Sequence, residues 1–292
     1  MTVETKIDIN EAPRESASAE AIIELGSASA VACLRFHWPE YLMEAAEVGL
    51  YLFLTCVFAS LLLSDASPVR HLIRSTVELR ALMGLAIGTT VVGIVISPWG
   101  KQSGGHFNPA LTLAFYRLGK MHLADALFYV VAQLSGAIGG VCVARYLSPV
   151  GRPAIRYAVT TPGIHGSAVA FIGELTISFV LMSSILVSSN REALARYTPY
   201  VVGLLYAVFI MVEAPLSGMS MNPARSFGPA LHVSCWHAIW LYFTAPTLGM
   251  LIAAEVFLRV RGGGQPFCAK LHHTNNQRCI FRHGPPPRHK PK

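Results

Sequence analysis

Long apolar runs alternate with short polar stretches between residues 41 and 258. A helix of about twenty apolar residues crosses the hydrocarbon core of a bilayer, so this pattern predicts six membrane-spanning helices. The composition agrees, because only 13% of the chain is charged, against about a quarter in soluble domains. The predicted spans are residues 41–63, 81–97, 126–146, 167–188, 199–214 and 236–258.

Two further apolar segments, residues 110–118 and 224–232, have about ten residues each, roughly half of what a span needs. Each follows an Asn-Pro-Ala box. Asn is a strong helix N-cap, and Pro at the first helical position has its φ angle already set. We predict two half-helices that begin at the boxes and meet end to end inside the bilayer. The boxes are Asn108, Pro109 and Ala110, and Asn222, Pro223 and Ala224.

The boxes belong to an internal repeat. Residues 41–146 and residues 167–258 each contain two spans, a box with its half-helix, and a third span. Three is an odd number of crossings, so the second copy enters from the other side of the membrane and the repeats are inverted. The predicted fold is an all-α membrane protein with six transmembrane helices and two half-helices in two inverted repeats.

Acidic residues within the first and fourth spans are costly and indicate a buried partner. The loops before the two boxes run through the membrane without helical hydrogen bonds, so their N–H groups need acceptors. We predict that Glu47 supports the first loop and Glu174 the second. Glu44 is nearer the end of its span, and we expect it to reach the membrane interface.

The two ends of the chain are polar. Residues 1–40 are predicted to be a tail without a signal peptide, with at most a short amphipathic helix near residues 19–31. Residues 259–292 are a basic tail that supplies much of the net charge of +7. Such a tail beside a span indicates cytoplasmic placement or anionic lipid rather than nucleic acid. An even number of spans puts both termini on one side, which we expect to be cytoplasmic in a plasma or inner membrane.

The basic tail contains a possible metal site. Four of its residues form two Cys-x₃-His pairs, and zinc takes four such ligands in a tetrahedron. The alternative is a basic tail that contains these residues by chance, and both interpretations stay open here. No other cofactor is expected. The four residues are Cys268, His272, Cys279 and His283.

The two boxes with their flanking residues resemble the aquaporin (major intrinsic protein) family. The stretches that carry the resemblance read SGGHFNPALT from Ser103 and MNPARSFGPA from Met221. The resemblance implies a six-span pore, usually four per tetramer, in which the asparagine amides donate to a passing water molecule. It also implies a narrow ring of four residues, which we assign to Met83, Ile210, Met219 and Arg225.

Other positions near this pore are less defined. His106 is expected near the cytoplasmic mouth, where it either donates to the solute or fills space. Residues 97–101 look like an insertion before the first box. Glu213 either pairs with Arg225, lines the outer vestibule or is an acid at the water interface, and the last is expected.

Three functions agree with these features. The first is a passive water channel, and the second is a pore of the same fold for a small neutral solute such as glycerol, ammonia or a dissolved gas. The third is a structural membrane protein with a closed pore. The intact boxes favour the first two, and only the Cys/His tail favours the third. The sequence contains no nucleophile–base pair at a catalytic spacing and no phosphate-binding loop, so we do not expect an enzyme.

Overall fold

The computed structural model describes residues 30–147, 156 and 158–284. Within these residues the chain is helical and contains no strand. The helices are α1 Ala30–Leu63, α2 Pro68–Leu72, α3 Thr76–Ile96, α4 Pro98–Ser103, α5 Pro109–Arg117, α6 Leu123–Leu147, α7 Gly166–Ser189, α8 Glu192–Ala195, α9 Thr198–Val212, α10 Ala214–Ser217, α11 Pro223–Val233 and α12 Ile239–Val260.

Five of these helices, α1, α3, α6, α7 and α12, are long and apolar enough to cross a membrane. The remaining predicted span, the fifth, corresponds to α9, whose 15 residues reach only about 22 Å at 1.5 Å per residue. The short helix α10 follows it directly. The half-helices α5 and α11 begin at Pro109 and Pro223, directly after the predicted caps. The predicted fold class is therefore confirmed.

The first helix departs from the prediction, because it begins at Ala30 rather than Tyr41. Two polar side chains near its beginning, His37 and Glu40, are buried. His37 and Tyr41 contact Asp125 of α6 at 2.8 and 2.6 Å. The tail predicted for residues 1–40 thus gives way to helix at Ala30, and the amphipathic helix predicted near residues 19–31 lies almost wholly outside the described residues.

Glycines allow the spans within each repeat to pack closely. Helix α1 packs on α6 in the first repeat, and α7 packs on α12 in the second. A Cβ on Gly140 would lie 2.1 Å from the carbonyl oxygen of Gly49, and one on Gly249 would lie 2.3 Å from that of Leu175. Only glycine permits backbones to approach this closely, as is common between membrane helices.

The two repeats interlock through their half-helices. Helix α5 packs against α12, the last span of the other repeat, and α11 packs against α6. Arg117 at the end of α5 also pairs with Glu255 of α12 at 2.5 Å. Each half-helix is therefore fixed by both repeats, and their N-termini meet in the middle of the molecule.

The beginning of α1 and the end of α12 lie on the same side of the helix bundle, which we call the terminal face. Residues 265–284, which follow α12, fold back over this face, and we call them the terminal cap. The cap contains no helix or strand, but Cys268, Ala269, Lys270, Leu271 and Phe281 within it are buried. The opposite face contains α2 and the segment 158–163.

Candidate functional site

The two half-helices are capped in the same way. The side-chain oxygen of Asn108 accepts a hydrogen bond of 2.9 Å from the N–H of Ala110. That of Asn222 accepts from the N–H groups of Ala224 and Arg225 at 2.9 and 3.3 Å. Both asparagines are buried. Each cap satisfies backbone N–H groups that have no partner within the helix.

The amide groups of the same asparagines join the two boxes to each other. Asn108 Nδ2 donates to the carbonyl of Met221 at 2.8 Å, and Asn222 Nδ2 donates to the carbonyl of Phe107 at 2.7 Å. Each amide carries two hydrogens, so one of them is used in this bond. The second hydrogen of each amide is the one left for the donation to water that the sequence predicts.

The loops that lead into the boxes are conformationally strained. Phe107, Met219 and Met221 all have positive φ angles, of 32°, 50° and 53°. Side chains larger than glycine rarely adopt this region, and each such residue costs of the order of 1–3 kcal/mol. The surrounding structure must therefore hold these loops in place.

Glu174 holds the second loop, as the sequence predicted. Its carboxylate accepts the N–H groups of Ser220 and Met221 at 2.6 and 2.7 Å. It also accepts the hydroxyl of Ser217 at 2.5 Å, while the Tyr242 hydroxyl donates to the Ser217 carbonyl. One fully buried acid thus satisfies three donors of this loop.

The first loop divides the same task between two acids. Glu44 accepts the N–H groups of His106 and Phe107 at 2.9 and 2.7 Å, and the side-chain amide of Gln133 at 2.7 Å. Glu47 accepts only the hydroxyl of Ser103, at 2.8 Å. The prediction that Glu47 supports the loop backbone is therefore wrong, and Glu44 is buried rather than at the interface. The two acids lie one helical turn apart on the same face, and the loop N–H groups lie at the level of Glu44.

The four residues assigned to the narrow ring line one cavity of about 410 Å³. Arg70 of α2 and Thr76, the first residue of α3, lie at its rim, so the cavity lies towards the opposite face. Arg225 is buried, and its guanidinium donates to the carbonyl of Ala158. The other three ring residues have apolar side chains. The structure thus brings together Met83, Ile210, Met219 and Arg225.

His106, on the other side of the boxes, is fully buried. Its Nε2 lies 3.0 Å from the carbonyl oxygen of Ala269 in the terminal cap. Its ring is stacked between Phe115 of α5 and Phe281 of the cap, with centroids 5.0 and 5.3 Å away. Of the two roles expected for His106, this arrangement fits packing, because the cap occupies the position from which a solute would approach.

Three residues of the tail approach one another closely enough to share an ion. Cys268 Sγ lies 3.7 Å from Cys279 Sγ, and His283 Nε2 lies 3.1 Å from Cys279 Sγ. The fourth predicted ligand, His272, does not belong to this group, which corrects the predicted set. The backbone turns at this point, where the side chain of Asn275 donates to the His272 carbonyl.

The two less defined features of the sequence also have places in the structure. Residues 97–101 contain the start of α4, which ends at Ser103. Glu213 is 4% exposed, and neither of its carboxylate oxygens has a hydrogen-bond partner among the described residues. The expectation that Glu213 is a water-interface acid is therefore wrong. Its Oε1 lies against Gly173, where a Cβ would come within 2.6 Å.

The similarities to known proteins agree with this architecture. Glycerol uptake facilitator protein-like 6 of Lactiplantibacillus plantarum is 36% identical over 59% of this chain and 81% of its own length. A probable aquaporin NIP-type of Nicotiana alata is 33% identical over 60% of this chain, which spans 64% of that relative.

A solved structure has the same fold. It is the X-ray structure of the aquaglyceroporin from Plasmodium falciparum, with a TM-score of 0.60 over 76% of this chain and 96% of that chain. The sequence identity is 21%, so this similarity concerns the fold alone. The sequence model of the major intrinsic protein family matches residues 31–257, and the chain belongs to that family.

Proposed function

We propose that this protein is a passive transmembrane channel for water, with a single-file pore that passes between Asn108 and Asn222. The observation that carries the proposal is the reciprocal pair of bonds between the boxes, from Asn108 to the Met221 carbonyl and from Asn222 to the Phe107 carbonyl. These bonds require two half-helix N-termini at one level in the membrane. Membership of a channel family supports the proposal.

The chemistry at this level selects neutral molecules. Each half-helix presents the positive end of its dipole to the meeting point, and each amide retains one N–H. A water molecule that accepts from both amides is oriented there and cannot relay a proton, and a cation is repelled. On the side of the boxes that lies towards the opposite face, Arg225 adds a fixed positive charge and further hydrogen-bond donors. These groups and the ring of Met83, Ile210 and Met219 form the proposed filter.

A small neutral solute such as glycerol is the second candidate. Three of the four ring residues are apolar and line a cavity of about 410 Å³, which suits a molecule with a hydrocarbon edge. One of the relatives is named as a glycerol uptake facilitator and another as a probable aquaporin. We further propose a homotetramer in a plasma or inner membrane, with the terminal face in the cytoplasm.

Proteoliposomes and stopped-flow light scattering distinguish these candidates. A water channel makes vesicles shrink faster than empty vesicles under an impermeant osmolyte, and the same preparation tested with glycerol and ammonia ranks the three solutes. The measurement is made with zinc present and after chelation. Shrinkage equal to that of empty vesicles under both conditions contradicts an open pore and supports the structural alternative.

The variant Arg225→Val tests the filter. Loss of the buried cation is expected to admit larger or charged species while water still passes. The matched control is Arg145→Val, since Arg145 is exposed at the end of α6. If Arg225→Val and Arg145→Val have the same solute ranking as the unmodified protein, Arg225 is not part of the filter.

A further inference from the structure

The terminal cap contains no helix or strand whose backbone hydrogen bonds could hold it in place. A stretch of this length without helix or strand is uncommon in a compact fold, and such stretches are often functional. Nevertheless, Cys268, Ala269, Lys270 and Leu271 are at most 3% exposed. The segment must therefore be fixed by specific contacts.

The cap bridges both repeats at the terminal face. On the first repeat, the N–H of Leu271 donates to the Gly104 carbonyl at 3.0 Å, and that of Arg282 donates to the Lys120 carbonyl at 2.8 Å. On the second repeat, the N–H of Phe267 donates to the side-chain oxygen of Asn190 at 2.7 Å. A segment tied to both repeats lies across the line between them, where the pore ends.

The centre of the cap lies on the residues that lead into the first box. The Ala269 carbonyl contacts His106 Nε2, and Phe281 stacks on the His106 ring. His106 is two residues before Asn108. With His106 fully buried, the terminal side of the proposed pore is covered in this structure.

Two cysteines and a histidine join the two ends of the cap. The Cys268 and Cys279 sulfurs are 3.7 Å apart, well beyond the approximately 2.05 Å of a disulfide. Two thiolates bound to one tetrahedral zinc ion at about 2.3 Å each would lie about 3.8 Å apart. His283 Nε2 is within 4.8 Å of both sulfurs, so a small movement places all three atoms around one ion.

The donor types restrict the ion. Thiolate and imidazole ligands favour zinc and similar transition metals, whereas magnesium and calcium take oxygen ligands. A structural zinc site has four protein ligands. His273 is the candidate for the fourth, because its ring and that of His283 both pack on Phe267, with centroids 5.2 and 5.3 Å away. Its Nδ1, like that of His272, is buried and has no hydrogen-bond partner among the described residues. The contact with Phe267 therefore distinguishes His273 from His272, and the His273 ring must move to join the other three ligands.

We propose that Cys268, Cys279 and His283, with His273 in the fourth position, bind a zinc-class cation that fastens the terminal cap over the pore. The closing role rests on the proposed channel function, but the binding of the ion does not. Without the ion, the two ends of the cap lose their common anchor, and Phe281 and the Ala269 carbonyl can leave His106. Removal of the metal is therefore expected to open the terminal side.

The metal content of the purified full-length protein tests the site directly. About one zinc ion per chain is expected by elemental analysis, as for a single structural site. Replacement by cobalt should give thiolate-to-cobalt charge transfer and the visible bands of a tetrahedral ion. Cys279→Ala should lose the ion, while His273→Ala should retain it more weakly.

Two matched variants control for other binding. Cys33→Ala removes a ligand from the second cluster of metal-binding residue types, Cys33, His37 and Asp125. His272→Ala removes the histidine next to the proposed ligand. Both should keep the full zinc content. No zinc in the unmodified protein after incubation with the ion, or equal zinc in Cys279→Ala, overturns the proposal.

Water permeability tests the closing role. Chelation should raise the permeability of proteoliposomes several-fold, and Cys279→Ala should be as permeable as the chelated protein without any treatment. Zinc loss without a change in a measurable permeability overturns the closing role. Zinc at one per chain together with no permeability above empty vesicles, before and after chelation and in Cys279→Ala, supports the site and contradicts the channel function.

Discussion

The loops before the two boxes have the same pattern of hydrogen bonds, but the acids that take part in it differ. In each loop a serine hydroxyl donates to a buried glutamate, and a tyrosine hydroxyl donates to that serine's carbonyl. Ser103 and Tyr129 serve the first loop, and Ser217 and Tyr242 serve the second. The shared pattern shows what an inverted repeat requires for two extended loops at membrane depth.

The acids are where the loops differ. Glu174 alone accepts two backbone N–H groups and the serine hydroxyl of the second loop, whereas Glu44 accepts the backbone N–H groups of the first loop and Glu47 accepts its serine hydroxyl. The two sides of the pore differ as well. The ring with Arg225 borders an open cavity, but His106 lies beneath the terminal cap. The repeat therefore preserves the backbone scaffold, while the two sides of the boxes are covered differently.

The largest effect is expected from Glu174→Ala. This change leaves two backbone N–H groups and one hydroxyl of the second loop buried without an acceptor, and each such group costs about 1–3 kcal/mol. Little protein should remain monodisperse on gel filtration after mild heating in detergent. Glu255→Ala is the control, since its pair with Arg117 is partly exposed. Equal heat resistance of the two variants would contradict the role of Glu174.

The next largest effect separates the two acids of the first loop. Glu44→Ala removes the acceptor of two backbone N–H groups and is expected to lower the midpoint of thermal aggregation strongly. Glu47→Ala leaves only the Ser103 hydroxyl unpaired and removes a second buried carboxylate beside Glu44, so its effect should be small. A greater loss with Glu47→Ala would restore the assignment made from the sequence.

The prediction of Glu47 where the structure has Glu44 shows how far the sequence determines the site. The half-helices, the asparagine caps and the spans depend on local patterns, and the sequence predicts their ends within a few residues except for the beginning of α1 at Ala30. Glu44 and Glu47 lie three residues apart on one face of α1, so periodicity cannot say which one meets the loop. Their partners come from residues more than fifty positions later in the chain, and only tertiary packing decides the register.

The terminal cap was not predictable for a related reason. It has no hydrophobic period, and its buried residues are covered by loops from both repeats. The sequence indicated a cysteine and histidine cluster but included His272, because spacing alone does not give the distances between side chains in a segment without helix or strand. The same applies to α1, where His37 and Glu40 are buried beside Asp125 of α6 and Arg278 of the cap.

A moderate effect is expected from close packing in the first repeat. The added methyl in Gly140→Ala would meet the Gly49 carbonyl at 2.1 Å, whereas that in Gly139→Ala has no neighbour within 4 Å. Overpacking typically costs about 1–3 kcal/mol, so Gly140→Ala should lower the thermal midpoint and Gly139→Ala should not. Gly249→Ala should resemble Gly140→Ala if the repeats are equivalent. The same midpoint for Gly139→Ala and Gly140→Ala would contradict this packing.

The smallest loss of stability is expected from removal of one tyrosine hydroxyl, and it should be equal in the two loops. Tyr129→Phe and Tyr242→Phe each remove one hydrogen bond to a serine carbonyl, at 2.7 and 2.6 Å, worth about 0.5–1.5 kcal/mol. Both variants should lower the thermal midpoint slightly and to the same extent. A clear difference between them would show that the shared pattern is not energetically symmetric.

The two capped half-helices that meet at Asn108 and Asn222 are proposed to form a conduit that passes water but not protons. The most direct measurement records osmotic shrinkage and internal pH in the same proteoliposomes, with the protein stripped of zinc. We expect shrinkage faster than in empty vesicles and no added proton leak under a pH gradient. Shrinkage no faster than in empty vesicles, or a proton leak that accompanies the water flux, would contradict the account.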